Sequence, residues 1–130
     1  MNLLNDTQQQ LLSFSQFQSL QEFEESIQMW LQATQVDFTK GESICFQLLL
    51  QSSQQFPGVC YQKIHTLLNA IQENQEINLS RDTFKRMLRK AKARGLITVH
   101  TTVRENGSQN SNLYVYNQFT PTKHEEAQRL

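Results

Sequence analysis

Basic residues are concentrated in one short stretch of this 130-residue chain, whose formal net charge is zero. Eight of the twelve lysines and arginines fall within residues 80–104, where Asp82 is the only acid. Residues 1–79 instead carry eight acids and two bases. Such a separation of charge indicates a local binding site for a polyanion. The basic residues of the stretch are Arg81, Lys85, Arg86, Arg89, Lys90, Lys92, Arg94 and Arg104.

Most of these cations fall in a helix that the sequence predicts over residues 81–94. Ser80 is a favourable N-cap, and Gly95 suits the left-handed conformation that ends many helices. Apolar residues recur at steps of three and four, so one face of the helix can pack against the protein. These residues are Phe84, Met87, Leu88 and Ala91. The remaining surface of the helix is almost wholly cationic.

A helix with one apolar face and one cationic face is suited to binding duplex DNA. The major groove admits an α-helix and is lined by phosphates. Side chains near the start of such a helix reach base edges, and those toward its end contact the backbone. A solvated basic face is the alternative, although such faces usually alternate in sign of charge. We expect the main contacts from Arg81, Lys85, Arg86 and Arg89, phosphate or minor-groove contacts from Lys90, Lys92, Arg94 and Arg104, and further contacts at the helix start from Ser80 and Thr83.

The segment after the basic helix predicts a β-hairpin. Residues 96–103 are rich in β-branched side chains and residues 113–117 are apolar and aromatic, as is typical of strands. The polar loop 104–111 between them contains an Asn-Gly pair, which favours a tight turn. We interpret this loop as a wing, with Arg104 at its base and within reach of a minor groove. An ordinary surface hairpin without DNA contacts is the alternative.

Two further helices precede the basic helix. Thr39 and Glu42 have the spacing of a capping box at the start of a helix that is expected to run to about residue 55. A Pro-Gly pair then breaks the chain, and a helix over about residues 61–73 follows. Together with a long N-terminal helix over residues 14–35, these elements predict a mainly α fold with a small β-hairpin, of the α+β class.

The N-terminal helix carries an aromatic-rich stripe that is too apolar to face water. We expect this stripe to form the contact of a homodimer, because two protomers can bind two DNA half-sites together. Packing of the helix on its own domain is the alternative. The stripe consists of Phe17, Leu20, Phe23, Ile27, Trp30 and Leu31.

Several short motifs of the chain occur together in winged helix-turn-helix proteins of Gram-positive bacteria and their plasmids. They are a TK-x-E helix start, a PGVC segment, an S-R-x-T start of the recognition helix, an R-x-x-x-x-GLI strand entry (with Lys90 at the arginine position) and an S/T-S-N-x strand return. The chain resembles these proteins over about residues 39–117. The resemblance implies a winged-helix fold and DNA binding. The matching residues are Thr39, Lys40, Glu42, Pro57 to Cys60, Ser80, Arg81, Thr83, Lys90, Gly95 to Ile97, Ser111 and Asn112.

Neither an enzymatic site nor a metal or cofactor site is predicted. The three histidines (His65, His100 and His124) have no partner at the spacing of a metal site or a catalytic triad. Cys45 and Cys60 lack a CxxC pattern and are interpreted as reduced thiols in the core. No apolar run approaches the ~18 residues that span a bilayer, and the N-terminus lacks the features of a signal peptide, so a cytoplasmic location is expected.

These patterns divide the chain into a helical segment over residues 1–38, a DNA-binding domain over residues 39–119 and a flexible tail over residues 120–130. The expected function is that of a transcriptional regulator that binds double-stranded DNA as a dimer. A plasmid replication or maintenance protein is one alternative. A winged-helix module that binds an acidic protein partner is another.

Overall fold

The computed structural model describes residues 6–72, 79–100 and 112–120. Within these ranges the chain forms five helices and a three-stranded antiparallel sheet. The fold is therefore mixed α+β, as predicted, with one strand more than the expected hairpin. In chain order the elements are α1 (Asp6–Ser13), α2 (Leu20–Thr34), α3 (Lys40–Gln51), β1 (Val59–Tyr61), α4 (Ile64–Gln72), α5 (Arg81–Ala93), β2 (Ile97–His100) and β3 (Leu113–Tyr116).

Strand β1 is the element that the sequence analysis missed. It has only three residues, too few for an alternating pattern to be recognised. It pairs with β3, and β3 also pairs with β2, so the strand order is β1-β3-β2 with every pair antiparallel. Val59 is opposite Val115 on one side of β3, and Thr98 is opposite the same Val115 on the other.

The central strand β3 is buried on both faces. Tyr114 and Tyr116 belong to the main core, whereas Leu113 and Val115 belong to a second, smaller cluster. This division follows from the alternation of side chains along a strand. Leu11 of α1 packs against the second cluster. The helix predicted in the N-terminal segment begins only at residue 14, so the helix α1 and its contact with the sheet are a correction.

Helices α3, α4 and α5 pack against one another. The predicted capping box is present at the start of α3: the N–H of Glu42 donates to Thr39 Oγ1 at 3.2 Å, and the N–H of Thr39 donates to Glu42 Oε1 at 3.0 Å. The helix ends at Gln51 rather than near residue 55, and α4 begins at Ile64 rather than near residue 61.

Helix α2 begins at Leu20, which corrects the single helix predicted from residue 14. Ser19 is its N-cap, with Oγ accepting from the N–H of Glu22 at 3.1 Å. Gln35 ends it in a left-handed conformation with a φ of 46°. A chain without glycine or proline over residues 14–35 is compatible with one helix, but the serine cap competes with helix formation before it.

Two glycines with positive φ lie beneath aromatic rings of the N-terminal segment. Gly58 has a φ of 81°, and a Cβ atom at this position would lie 2.6 Å from Cε2 of Phe17. Gly95 has a φ of 83°, and a Cβ atom there would lie 3.4 Å from Cη2 of Trp30. Phe17 therefore packs directly on the turn that precedes β1, where only glycine leaves enough room.

Helix α2 packs on its own chain, which corrects the prediction that its stripe forms a dimer contact. Phe17, Phe23, Ile27 and Trp30 are each at most 7% exposed and belong to one core with residues of α3, α5 and β3. Leu31 is partly buried against the same core. Of the six stripe residues only Leu20 is substantially exposed, at 38%. The stripe therefore packs on its own domain, which is the alternative to the dimer contact.

Hydrogen bonds connect α2 with the segment that follows β3. Trp30 Nε1 donates to the carbonyl oxygen of Asn117 at 2.8 Å. The N–H of Phe119 donates to Oγ of Ser26, which is 2% exposed, at 2.9 Å. The polar groups of this contact are thus satisfied within the chain, as burial requires.

Candidate nucleic-acid interface

Helix α5 begins at the predicted residue and ends one residue before the predicted end. Ser80 is the N-cap, and its Oγ accepts from the N–H of Thr83 at 3.1 Å. The last helical residue is Ala93, Arg94 is the C-cap, and Gly95 follows in the left-handed conformation. Both predicted end signals are therefore confirmed, and the helix presents a defined polar start.

One side of α5 is buried and the other is exposed and cationic. Phe84, Met87 and Ala91 have no exposed surface, and Leu88 is 7% exposed. The predicted apolar stripe is thus confirmed. We define the basic face as the exposed cations of α5 and its C-cap, which are Arg81, Lys85, Arg86, Arg89, Lys92 and Arg94.

Seven of the eight polar residues of α5, all except Asp82, fall into two rows. Thr83, Arg86 and Lys90 are separated by three and four residues, so they share one side of the helix. This row lies beside α3, because Cγ2 of Thr83 would be 3.2 Å from a Cβ atom at Gly41. The second row faces away from it and consists of Arg81, Lys85, Arg89 and Lys92.

A buried carboxylate of α3 contacts two cations of the first row. Glu42 is 1% exposed. Lys90 Nζ donates to its Oε1 at 2.6 Å, and Arg86 Nε lies 3.5 Å from its Oε2. Lys90 Nζ also donates to the backbone carbonyl of Asp37 at 2.6 Å. In the part of the chain that the structure describes, the ion pairs are Lys90–Glu42 and Arg86–Glu42.

The contacts keep Glu42 ionised. The hydrogen bond from Lys90 is the largest influence on the pKa of Glu42 and lowers it, and the bond from the Thr39 N–H and the charge of Arg86 act in the same direction. Burial opposes them, because a low-dielectric environment disfavours the charged form. Lys90, which the sequence analysis expects on a phosphate, is thus engaged within the chain.

Glu42 is the residue of this site that the sequence analysis did not assign to it. Its capping role was predicted from local spacing, but Lys90 lies 48 positions away. The available signal was the position of Arg86 and Lys90, four residues apart on one flank of the apolar stripe. Nothing in that spacing identifies which acid they meet, so the pairing required the tertiary structure.

Comparison of the chain with protein-family models, curated proteins and solved structures gave no match.

The described residues include strands on both sides of the predicted wing but not its loop. β2 and β3 pair in an antiparallel register from Ile97 opposite Tyr116 to His100 opposite Leu113. The hairpin strands are therefore confirmed. The predicted loop over residues 104–111, with Arg104, lies outside the described residues.

Among the described residues, the other histidines, cysteines and acids do not form a metal site. His65 and His100 are exposed, and His124 lies outside the described residues. Residues 6–72, 79–100 and 112–120 contain no group of three histidine, cysteine or acidic side chains that could hold a metal ion. Cys45 and Cys60 are free and buried, as predicted. No helix in these ranges is long and apolar enough to cross a membrane.

Proposed function

We propose that the chain is a sequence-specific duplex-DNA-binding protein of the winged-helix class, with α5 as its recognition helix. The observation that carries this proposal is the basic face: five exposed cations lie on α5 and a sixth at its C-cap, while one side of the helix is buried. Among the described residues, Arg86 is the only one of the six with an ion-pair partner. The other five repel one another, and a row of phosphates would relieve this repulsion.

The arrangement of elements supports the winged-helix assignment. Helices α4 and α5 would form the helix-turn-helix, and β2 and β3 would form the hairpin that carries the wing. β1 completes the small sheet on the far side of β3. In helix-turn-helix proteins the second helix of the motif enters the major groove. This placement leaves the buried side of α5 on the core and directs the basic face toward DNA.

The biological role that we propose is regulation of transcription, which the resemblance to winged helix-turn-helix proteins of Gram-positive bacteria supports. Plasmid replication or maintenance is the related role that the same resemblance implies. Selection of bound sequences from a random duplex library distinguishes the two roles. Matches of the enriched sequence near promoters in genomic DNA support regulation, and matches confined to a plasmid origin support replication.

Binding itself is tested by titrating duplex DNA at several salt concentrations. If about six phosphates are neutralised per protomer, the log–log slope of affinity against salt is about −5. The triple variant Arg81→Ala, Lys85→Ala, Arg89→Ala should lower affinity for every sequence and flatten the slope. Lys63→Ala, which removes an exposed cation outside α5, is the matched control. A wild-type slope near zero, or a triple variant with the affinity of the wild type, contradicts the proposal.

A further inference from the structure

Arg86 differs from the other members of the basic face because its guanidinium is held on two sides. Its Nε lies 3.5 Å from Glu42 Oε2, and its Nη2 donates to Thr83 Oγ1 at 3.1 Å. Thr83 Oγ1 is itself 2.9 Å from Oγ of the N-cap residue Ser80. The side chain nevertheless remains 52% exposed. It is therefore both accessible and restrained in orientation.

The groups that restrain Arg86 are themselves held in place. Glu42 is fixed by the Thr39 N–H and by Lys90 Nζ, both on Oε1. Thr83 lies in the first turn of the capped helix. A restrained guanidinium loses less side-chain entropy on binding than a free one, because its orientation is already set. No other cation of the basic face has such a support among the described residues.

The guanidinium retains donors for a ligand. It carries five N–H groups, and the contacts with Glu42 and Thr83 involve Nε and Nη2. Both hydrogens of Nη1 and the second hydrogen of Nη2 remain. Two adjacent donors of this kind match the N7 and O6 acceptors of guanine, the commonest specific contact of arginine in the major groove.

We propose that Arg86 is the specificity-determining residue of α5 and reads a guanine, and that Glu42 and Thr83 position it. The remaining cations of the basic face contact phosphates and contribute affinity without sequence preference. This inference rests on the proposed function of α5 as a DNA-binding helix. Of the four cations that the sequence predicts to make the main contacts, Arg86 then reads a base. The other three, Arg81, Lys85 and Arg89, do not.

The test compares binding of a library-selected duplex with binding of a scrambled duplex of the same length. Arg86→Met and Arg89→Met each remove one cation from the same helix. Arg86→Met should reduce the ratio of the two affinities roughly 5- to 150-fold, the range for one bidentate base contact. Arg89→Met should weaken both duplexes equally. Equal ratios in the two variants overturn the inference, as does a selection that enriches no sequence.

Separate variants test whether Glu42 and Thr83 position Arg86. Glu42→Gln keeps a group that can accept from the Thr39 N–H but removes the negative charge. It should reduce the affinity ratio while leaving the salt slope as in the wild type, because the phosphate contacts are intact. Thr83→Val removes the Oγ1 acceptor and should act in the same direction, whereas Thr83→Ser retains it. Unfolding curves monitored by circular dichroism establish which variants are folded at the assay temperature. Folded variants with the wild-type ratio overturn the positioning role.

The outcomes separate the inference from the proposed function. If the wild type binds neither duplex, the proposed function fails, and the inference fails with it. If the wild type binds duplex DNA with a steep salt dependence but Arg86→Met behaves like Arg89→Met, only the inference fails.

Discussion

Nζ of Lys90 on α5 lies 2.6 Å from Oε1 of Glu42 on α3, although the two residues are 48 positions apart. The same Nζ donates to the carbonyl oxygen of Asp37, just before α3. A buried carboxylate requires a compensating charge, so this pair stabilises one position of α5 against α3. A cation from the set expected to contact DNA thus helps to hold the helix in place.

Lys90→Met should destabilise the fold more than it weakens DNA binding. The change leaves the buried carboxylate of Glu42 without its closest partner, and we expect a loss of about 1–3 kcal/mol in the free energy of unfolding. Lys90 is partly exposed, so the loss is smaller than for a fully buried pair. Lys92→Met, in the exposed row of the same helix, should change stability by less than about 0.5 kcal/mol and reduce DNA affinity. Urea unfolding and DNA titration of both variants test this contrast, and the opposite pattern contradicts it.

Acid should destabilise the wild type more steeply than Glu42→Gln. The pKa of Glu42 is lowered from its ordinary value of 4.5 in the folded state, first by the hydrogen bond from Lys90. Such a group stabilises the fold above its unfolded pKa, and this stabilisation is lost as the pH falls through the folded pKa. Below pH 4.5 the free energy of unfolding of the wild type should therefore fall toward that of the variant. Parallel curves of unfolding free energy against pH would show that Glu42 makes no such contribution.

Gly58→Ala should be more destabilising than Gly95→Ala. Both positions have positive φ, so both variants share a cost of roughly 1–2 kcal/mol for a left-handed alanine. Only at Gly58 would the added Cβ atom overlap an aromatic ring, that of Phe17 at 2.6 Å, because at Gly95 the nearest ring atom, of Trp30, is 3.4 Å away. Phe17→Leu should partly restore the stability of Gly58→Ala by removing this overlap. Thermal unfolding of the variants decides the order, and equal losses would mean that the ring moves aside without cost.

Trp30→Ala should reduce stability without changing the oligomeric state of the protein in solution. The ring is buried, packs on Phe119 at a centroid distance of 5.0 Å and donates to Asn117, so we expect a loss of about 3–5 kcal/mol. Gln28→Ala, on the exposed side of α2, is the matched control. Sedimentation gives the masses. A wild-type dimer that Trp30→Ala converts to a folded monomer would return α2 to the role of an interface.

The two cysteines should react only as the chain opens. Burial raises the pKa of Cys45 to about 11 and the pKa of Cys60 to about 12, and the thiolate is the reactive form. Below the ordinary thiol pKa of 9.0, alkylation should therefore follow the rate of opening rather than the thiol chemistry. Ser43→Cys, at an exposed position of α3, should react at once and serves as the control. Equally rapid labelling of the wild type contradicts the burial of both thiols.

Local patterns predict α5 well because its determinants are local. The serine cap, the apolar residues at steps of three and four and the glycine at its end all act within one turn of the residues that they affect. The capping box of α3 is predictable for the same reason. Most of the basic face follows from the same pattern, since six cations outside the stripe are exposed. Lys90 is the exception, because it pairs with Glu42.

Features that depend on distant residues are not predictable in this way. Strand β1 exists because β3 offers a partner more than fifty residues later in the chain, and its own three residues carry no period. The pairing of Glu42 with Lys90 and the covering of Gly58 by Phe17 have the same origin. The apolar stripe of α2 was recognised, but its pattern is the same whether the partner surface belongs to the same chain or to another.

The contact between Trp30 and Asn117 joins residues 87 positions apart, which has a consequence for synthesis of the chain. The ribosome releases the N-terminal segment long before Asn117 and Phe119 have been made. Until then, the aromatic side chains of α2 lack part of their binding surface and are open to chaperones or to neighbouring nascent chains. During synthesis, closure of α2 onto this segment is therefore incomplete until Asn117 has been made, and a chain that terminates before Asn117 leaves the ribosome with this surface incomplete.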